Sequence, residues 1–173
     1  IKRLDHFIVE NEKKARSLIK LVAPEKDQGK IFINVINKHD SINESKSFLG
    51  ACLDGYSIGL ISDAGCPAIA DPGSSIIYEA HYLKIKVRPL VGASSIFLAL
   101  MSSGMNGQSF SFNGYLPINQ KERRKKIKSL EKKTLKDNQS QIFIETPYRN
   151  KSLFNDLIKY LSDHTNLCIA TDI

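Results

Sequence analysis

Ser57-Ile58-Gly59-Leu60-Ile61 runs into Ser62-Asp63-Ala64-Gly65-Cys66-Pro67-Ala68-Ile69-Ala70-Asp71-Pro72-Gly73, and a second apolar run comes at Ile76–Ala80. The first run reads as a buried strand. The middle is a loop of small residues with two prolines, and a helix starts at Ser74 or Ser75. A strand that leads through such a loop into a helix is the unit of an α/β fold. In an open sheet of this kind, ligands bind beyond the carboxyl ends of the strands. Small side chains let backbone N–H and C=O groups approach a ligand closely. Asp63 and Asp71 add carboxylate acceptors.

The same alternation extends in both directions. Asp5–Leu21 reads as a short strand and an amphipathic helix. Ile31–Ile36 reads as a strand, and Ile42–Leu53 as a helix with Phe48, Leu49 and Cys52 on one face. Ile76–Leu83 is helical. Val87–Leu90 reads as a short strand that ends at Val91-Gly92-Ala93-Ser94-Ser95, and Ile96–Met101 continues as an apolar helix to Gly104. Strand–loop–helix repetition predicts a mostly parallel sheet with helices on its faces. The polar stretch Ser103–Ser109 reads as a linker. Beyond it come Phe110–Leu116, a basic segment, a strand at Gln141–Ile144, a helix at Lys151–Leu161 and a last strand at Leu167–Ala170. The expected organisation is an N-terminal α/β domain over 1–106, a linker over 107–117 and a partial C-terminal α/β domain over 118–173. The first residue, Ile1, is not methionine, and a fragment with an incomplete second domain is expected.

The 173 residues are enough for a real core. With 42% hydrophobic and 25% charged residues, the composition is that of a globular protein. The apolar runs are strand-length, so no membrane span is expected. The cysteines Cys52, Cys66 and Cys168 show neither zinc spacing nor a disulfide framework, which predicts no metal and a reducing, cytoplasmic location. Net charge is +7. Such an excess fits either a polyanionic partner such as RNA or a solvated lysine-rich surface. Lys121–Lys136 carries nine Lys or Arg in sixteen residues, with Ile127 and Leu130 as an apolar stripe. A basic helix face suits phosphate contacts, and equally a solvated face. Tyr115 and Tyr148 are candidates for base stacking or for core packing.

Gly92-Ala93-Ser94-Ser95 forms a second candidate loop at a helix start. There, free N–H groups favour carboxylates or phosphates, and Ser94 or Ser95 can equally serve as a simple N-cap. Taken together, S-D-A-G-C-P-A-I-A-D-P-G and R-P-L-V-G-A-S-S closely resemble S-D-A-G-T-P-x-I-x-D-P-G and P-L-P-G-x-S. These are motifs of the tetrapyrrole-methylase-like S-adenosylmethionine-dependent methyltransferases. Within that family the nearest branch resembles the bacterial small-subunit ribosomal RNA ribose 2′-O-methyltransferases. Asn113-Gly114-Tyr115-Leu116-Pro117 is similar to its G-F-L-P linker, and Ile142-Phe143-Ile144-Glu145-Thr146-Pro147-Tyr148-Arg149 to I-F-Y-E-S-P-x-R.

The resemblance implies two α/β domains, S-adenosyl-L-methionine in the cleft between them, and a homodimer. It maps cofactor contacts to Ala64, Gly65, Cys66 and Ile69, to Ser94 and Ser95, and to Glu145. It also makes Ala170–Ile173 the start of a segment over the adenine. The family's first strand and proline-glycine loop are expected before Ile1. The chain departs from the pattern at several places. A-E-D-T-R reads Val9-Glu10-Asn11-Glu12-Lys13, and H-x-H-N-E reads Asn37-Lys38-His39-Asp40-Ser41. The loop threonine is Cys66, and the proline before Gly92 is Val91. The cofactor loops are better kept than the positions facing the acceptor. Transfer to a ribose hydroxyl also needs a proton acceptor. His39, Asp40 and Asp63, with Glu10, are the candidates, His39 having the suitable intrinsic pKa. Asp71 and Arg149 are candidate substrate contacts, although Asp71 could cap a turn and Arg149 could pair with Glu145. The expected function is methylation of a small-subunit ribosomal RNA ribose. The alternatives are methylation of a tetrapyrrole or other small acceptor, and a catalytically degenerate homologue that binds cofactor or RNA.

Overall fold

The structure is a computed structural model that describes residues 1–37 and 46–173. It divides into two compact units, Ile1–Ala93 and Ser94–Ile173.

In the first unit, β1 (His6–Val9), β2 (Phe32–Val35) and β3 (Ile58–Ile61) form a parallel sheet in the order β2-β1-β3. Val9 stands level with Val35 and with Ile61, so the three carboxyl ends lie side by side. Successive residues of a strand face opposite sides, and β1 is apolar at every described position after His6. Phe7 and Val9 pack with Ala15 and Ile19 of α1 (Glu12–Val22) on one face. Ile8 packs on the other with Leu49, beside α2 (Gly50–Leu53), and with Ile76 and Ala80 of α3 (Ser74–Tyr82). A strand buried on both faces reads as a continuous apolar run, as the central β1 does after His6, whereas β2 at the edge is largely exposed. Asn11 caps α1, its side chain accepting the Lys14 N–H at 3.1 Å.

The second unit contains α4 (Ser95–Ser103), β4 (Phe110–Tyr115), α5 (Gln120–Asp137), β5 (Ser140–Ile144) and α6 (Asn150–Tyr160). β4 and β5 pair in parallel, with α5 as the crossover that parallel pairing requires. The register shifts between Phe112 and Tyr115, where Gly114 takes φ +61. Leu116, Ile127, Leu130, Leu153 and Leu157 form the core between α5, α6 and the sheet. α4 ends at Gly104 in the left-handed conformation, as glycine permits.

The helices and strands keep the expected order with three differences. Val87–Leu90 is not a strand: Pro89 removes a ladder donor from its middle, and Leu90 and Val91 point to solvent. Leu167–Ala170 is not a strand either; β4 and β5 alone form the described sheet of this unit, and residues 167–170 run exposed along a groove. Of the expected helix Ile42–Leu53, the first part lies outside the described residues; 46–48 and Gly50–Leu53 are helical. Packing also groups α4 with the second unit, whereas the expected domain limits put it with the first. Phe97 of α4 meets Phe110 of β4 edge-on, with centroids 6.1 Å apart, which ties this helix to the strand after it.

Candidate active-site elements

In the first unit the candidate residues gather at the carboxyl ends of β1 and β3. The loop 62–73 is closed by its own short side chains. The Ser62 hydroxyl donates to Asp71 Oδ2 at 2.6 Å, the Ala68 N–H to the Pro72 carbonyl at 3.1 Å, and the Ile69 N–H to the Cys66 carbonyl at 3.1 Å. Asp71 is therefore a loop-closing residue in this structure. Cys66 Sγ lies 3.7 Å from the Ala93 carbonyl, which joins the loop to the Gly92-Ala93 segment.

The loop backbone is left-handed at Gly65 (φ +78), Ala68 (φ +67), Ala70 (φ +63) and Gly73 (φ +125). A left-handed alanine costs about 1–2 kcal/mol. Two of them in one loop mean that its shape is imposed by the hydrogen bonds that close it. A Cβ at Gly65 would meet no atom within 4 Å, so the backbone at Ala64–Cys66 faces open space. Ile69 is exposed beside it.

Asp63 and Glu10 come together across the sheet end. Glu10 Oε1 accepts the Asp63 N–H at 3.2 Å, and the Lys14 ammonium donates to Asp63 Oδ2 at 2.8 Å. The hydrogen bond to Asp63 and its negative charge raise the Lys14 pKa above the usual lysine value. Lys14 is the residue that sequence reasoning missed. Its only signal was its place four residues after Glu10 on the helix that opens here. His39 and Asp40 lie outside the described residues.

In the second unit, a groove of about 1200 Å³ is lined by Ser95, Leu100, Phe143, Glu145, Leu153 and Ala170, among others. It brings together three of the expected cofactor contacts. Ser94, just before it, is buried and makes no side-chain cap bond to α4. The Glu145 carboxylate, 5% exposed, accepts from Arg149 at 2.7 Å and from the Thr146 N–H at 2.8 Å. Arg149 also donates to the Leu116 carbonyl at 3.0 Å. Its guanidinium is thus turned inward, and its Nε is buried with no partner among the described residues. Tyr148 is exposed, which leaves its ring free of the core.

Among the described residues no group of three or more His, Cys, Asp or Glu is placed to hold a metal ion. None of the described helices is long and apolar enough to cross a membrane.

Both units pair parallel strands with helices, and loop 62–73 lies at the carboxyl end of β3, the end at which open α/β sheets bind ligands. No family model matches the chain. Proteins named ribosomal RNA small subunit methyltransferase I do match it. That of Vibrio cholerae is 31% identical over 138 residues, covering 80% of this chain and 46% of its own length. That of Halalkalibacterium halodurans is 34% identical over 133 residues, covering 76% and 45%. A solved structure of the methyltransferase CobJ aligns over 91% of this chain and 77% of its own, with TM-score 0.49 and 16% identity. Over about four-fifths of its length the chain is thus similar to methyltransferases named for small-subunit ribosomal RNA. It spans about half the length of the curated relatives it matches.

Proposed function

We propose that this chain belongs to an enzyme that methylates a ribose 2′-hydroxyl of small-subunit ribosomal RNA with S-adenosyl-L-methionine. The observation that carries the reading is identity of 31–34% over about four-fifths of the chain to relatives named for that RNA. The proposal includes a homodimer, as the sequence resemblance implies, and a cytoplasmic location, as the cysteine pattern suggests.

The residues present fit the cofactor. Open backbone at Gly65 offers amide and carbonyl groups, and Ala64, Cys66 and Ile69 flank it. Ser95 offers a hydroxyl, Glu145 a carboxylate and Ala170 a small apolar surface along the groove. When bound, S-adenosylmethionine supplies a methyl group already activated on a sulfonium.

The work left to this chain is orientation and proton removal. Fixing two reactants in line can lower a barrier by about 7–11 kcal/mol. Loop 62–73 suits that task because hydrogen bonds within it fix its shape. Arg149 holds the Glu145 carboxylate in one rotamer and so acts as a positioning residue. Asp63, with the Lys14 ammonium on Oδ2, offers Oδ1 as the proposed proton acceptor. His39 and Asp40 complete the proposed set of bases.

The test is calorimetric titration of the intact protein with S-adenosylmethionine, then labelled-methyl transfer to small-subunit RNA. A 2′-O-methyl group blocks alkaline cleavage at the next phosphodiester, which identifies the ribose. Absence of binding at millimolar cofactor overturns the reading. Binding without transfer to RNA moves the assignment to a tetrapyrrole acceptor, if such a compound is methylated, or to a degenerate homologue.

A further inference from the structure

We propose that one face of α5 is a docking surface for the sugar–phosphate backbone of RNA. The proposal rests on the RNA-directed function but uses residues that take no part in the groove. Lys125, Lys128, Ser129, Lys132, Lys133 and Lys136 line a shallow trough along the helix. At 1.5 Å per residue, Lys125 to Lys136 spans about 16 Å.

The rest of the helix explains why these lysines stand out. Arg123 is buried and bonds Asp156 at 2.7 Å and Ser152 at 3.0 Å. The guanidinium of Arg124 lies 5.3 Å from the centre of the Tyr160 ring. Lys128 bonds Glu131, which in turn accepts from Ser162 and Thr165. Those cations serve the fold. Lys125, Lys132, Lys133 and Lys136 are exposed and have no ion pair among the described residues.

Lys132 and Lys136 stand four apart and Lys133 and Lys136 three apart, so these side chains lie along one side of the helix. A row of unpaired cations along one side of a helix suits a partner that supplies negative charge along a line. An RNA backbone does so, and the chain's relatives are named for RNA. Contacts of this kind position a nucleic acid without reading its sequence. The trough shares no residue with the groove that contains Ser95 and Glu145.

The experiment replaces Lys125, Lys132, Lys133 and Lys136 together by glutamine, itself a good helix former. Binding of small-subunit ribosomal RNA to the intact protein is measured across a series of salt concentrations. The slope of log affinity against log salt should become shallower by about 3, the sum of four phosphate contacts. Affinity at low salt should fall at least tenfold, with the melting temperature and S-adenosylmethionine binding unchanged. A control variant, Lys13→Gln, Lys20→Gln, Lys30→Gln and Lys86→Gln, removes equal charge elsewhere and should keep most of the slope.

Equal losses in the two variants overturn the proposal, because net charge alone would then account for binding. An unchanged slope in the α5 variant also overturns it, as does an unaltered protein that binds no RNA. Binding to phosphatidylserine vesicles that depends on the four lysines, while RNA binding does not, overturns it in favour of an anionic membrane surface. Loss of the α5 effect with methyl transfer intact removes the docking surface alone. An intact α5 effect without methyl transfer removes the enzyme reading alone.

Discussion

The two units hold their charges in opposite ways. In Ile1–Ala93 every described ion pair has at least one well-exposed member: Lys2–Glu25, Lys14–Asp63, Arg16–Glu12 and Lys26–Asp5. Its fold rests on two apolar clusters, one on each face of the sheet. In Ser94–Ile173 the pairs reach inside. Arg123 and Asp156 are both nearly buried, and Glu131 and Glu145 are buried partners of Lys128 and Arg149. Exposed pairs contribute little to stability, whereas breaking a buried one strands a charge. The second unit is therefore the one whose stability depends more on charge and pH.

Removing a cation from the second unit should have the largest effect. Arg123→Met leaves Asp156 buried without its partner and should cost about 3–5 kcal/mol in urea unfolding. A loss below about 1 kcal/mol would erase the contrast between the units.

Acid comes next. Burial would push the Glu131 carboxyl up, but the Ser162 N–H, the Thr165 hydroxyl and the Lys128 ammonium hold it down at about 2. A depressed carboxyl stabilises the fold above its unfolded value of 4.5 and loses that contribution as pH falls toward about 2. The loss should be at most about 3 kcal/mol. Glu131→Gln should remove this part of the acid transition, read by unfolding between pH 5 and pH 2, and leave the first unit's transition in place.

Gly73→Ala tests the first unit, where geometry rather than charge is the constraint. At φ +125, with a new Cβ only 3.0 Å from Leu60 Cδ2, it should cost about 1–3 kcal/mol and perturb loop 62–73. Weaker cofactor binding in the same variant would tie loop shape to the proposed site. The smallest effect is expected from Lys14→Met. The ammonium is well exposed, so the melting temperature should not move. If Asp63 is the proton acceptor, freeing it should alter the pH profile of methyl transfer.

Much of the site could be read from residues because the motif is local. Loop 62–73 and the turn that begins at Glu145 are continuous stretches bounded by strands, and their small and proline residues signal their shape. The Glu145–Arg149 pair was legible as an alternative for the same reason, since only the short turn at Pro147–Arg149 separates the two side chains. Lys14 with Asp63 was not legible, because 49 residues separate them and only sheet register makes them neighbours. The two expected strands that do not form failed for a related reason. Leu167–Ala170 is apolar enough for a strand and Val87–Leu90 has apolar ends around Arg88 and Pro89, but a strand exists only when a neighbour completes its hydrogen bonds.

The sequence by itself determined the α/β alternation, the loop after β3, the basic face of α5 and the superfamily resemblance, because each is a pattern within a few turns of chain. The tertiary structure alone decided that Asp71 closes its loop through Ser62, and that Arg149 turns inward to Glu145 and the Leu116 carbonyl. It also decided that α5 has one set of cations tied into the fold and another left exposed. Partners and burial are set by segments distant in the chain, and a residue's chemistry depends on them.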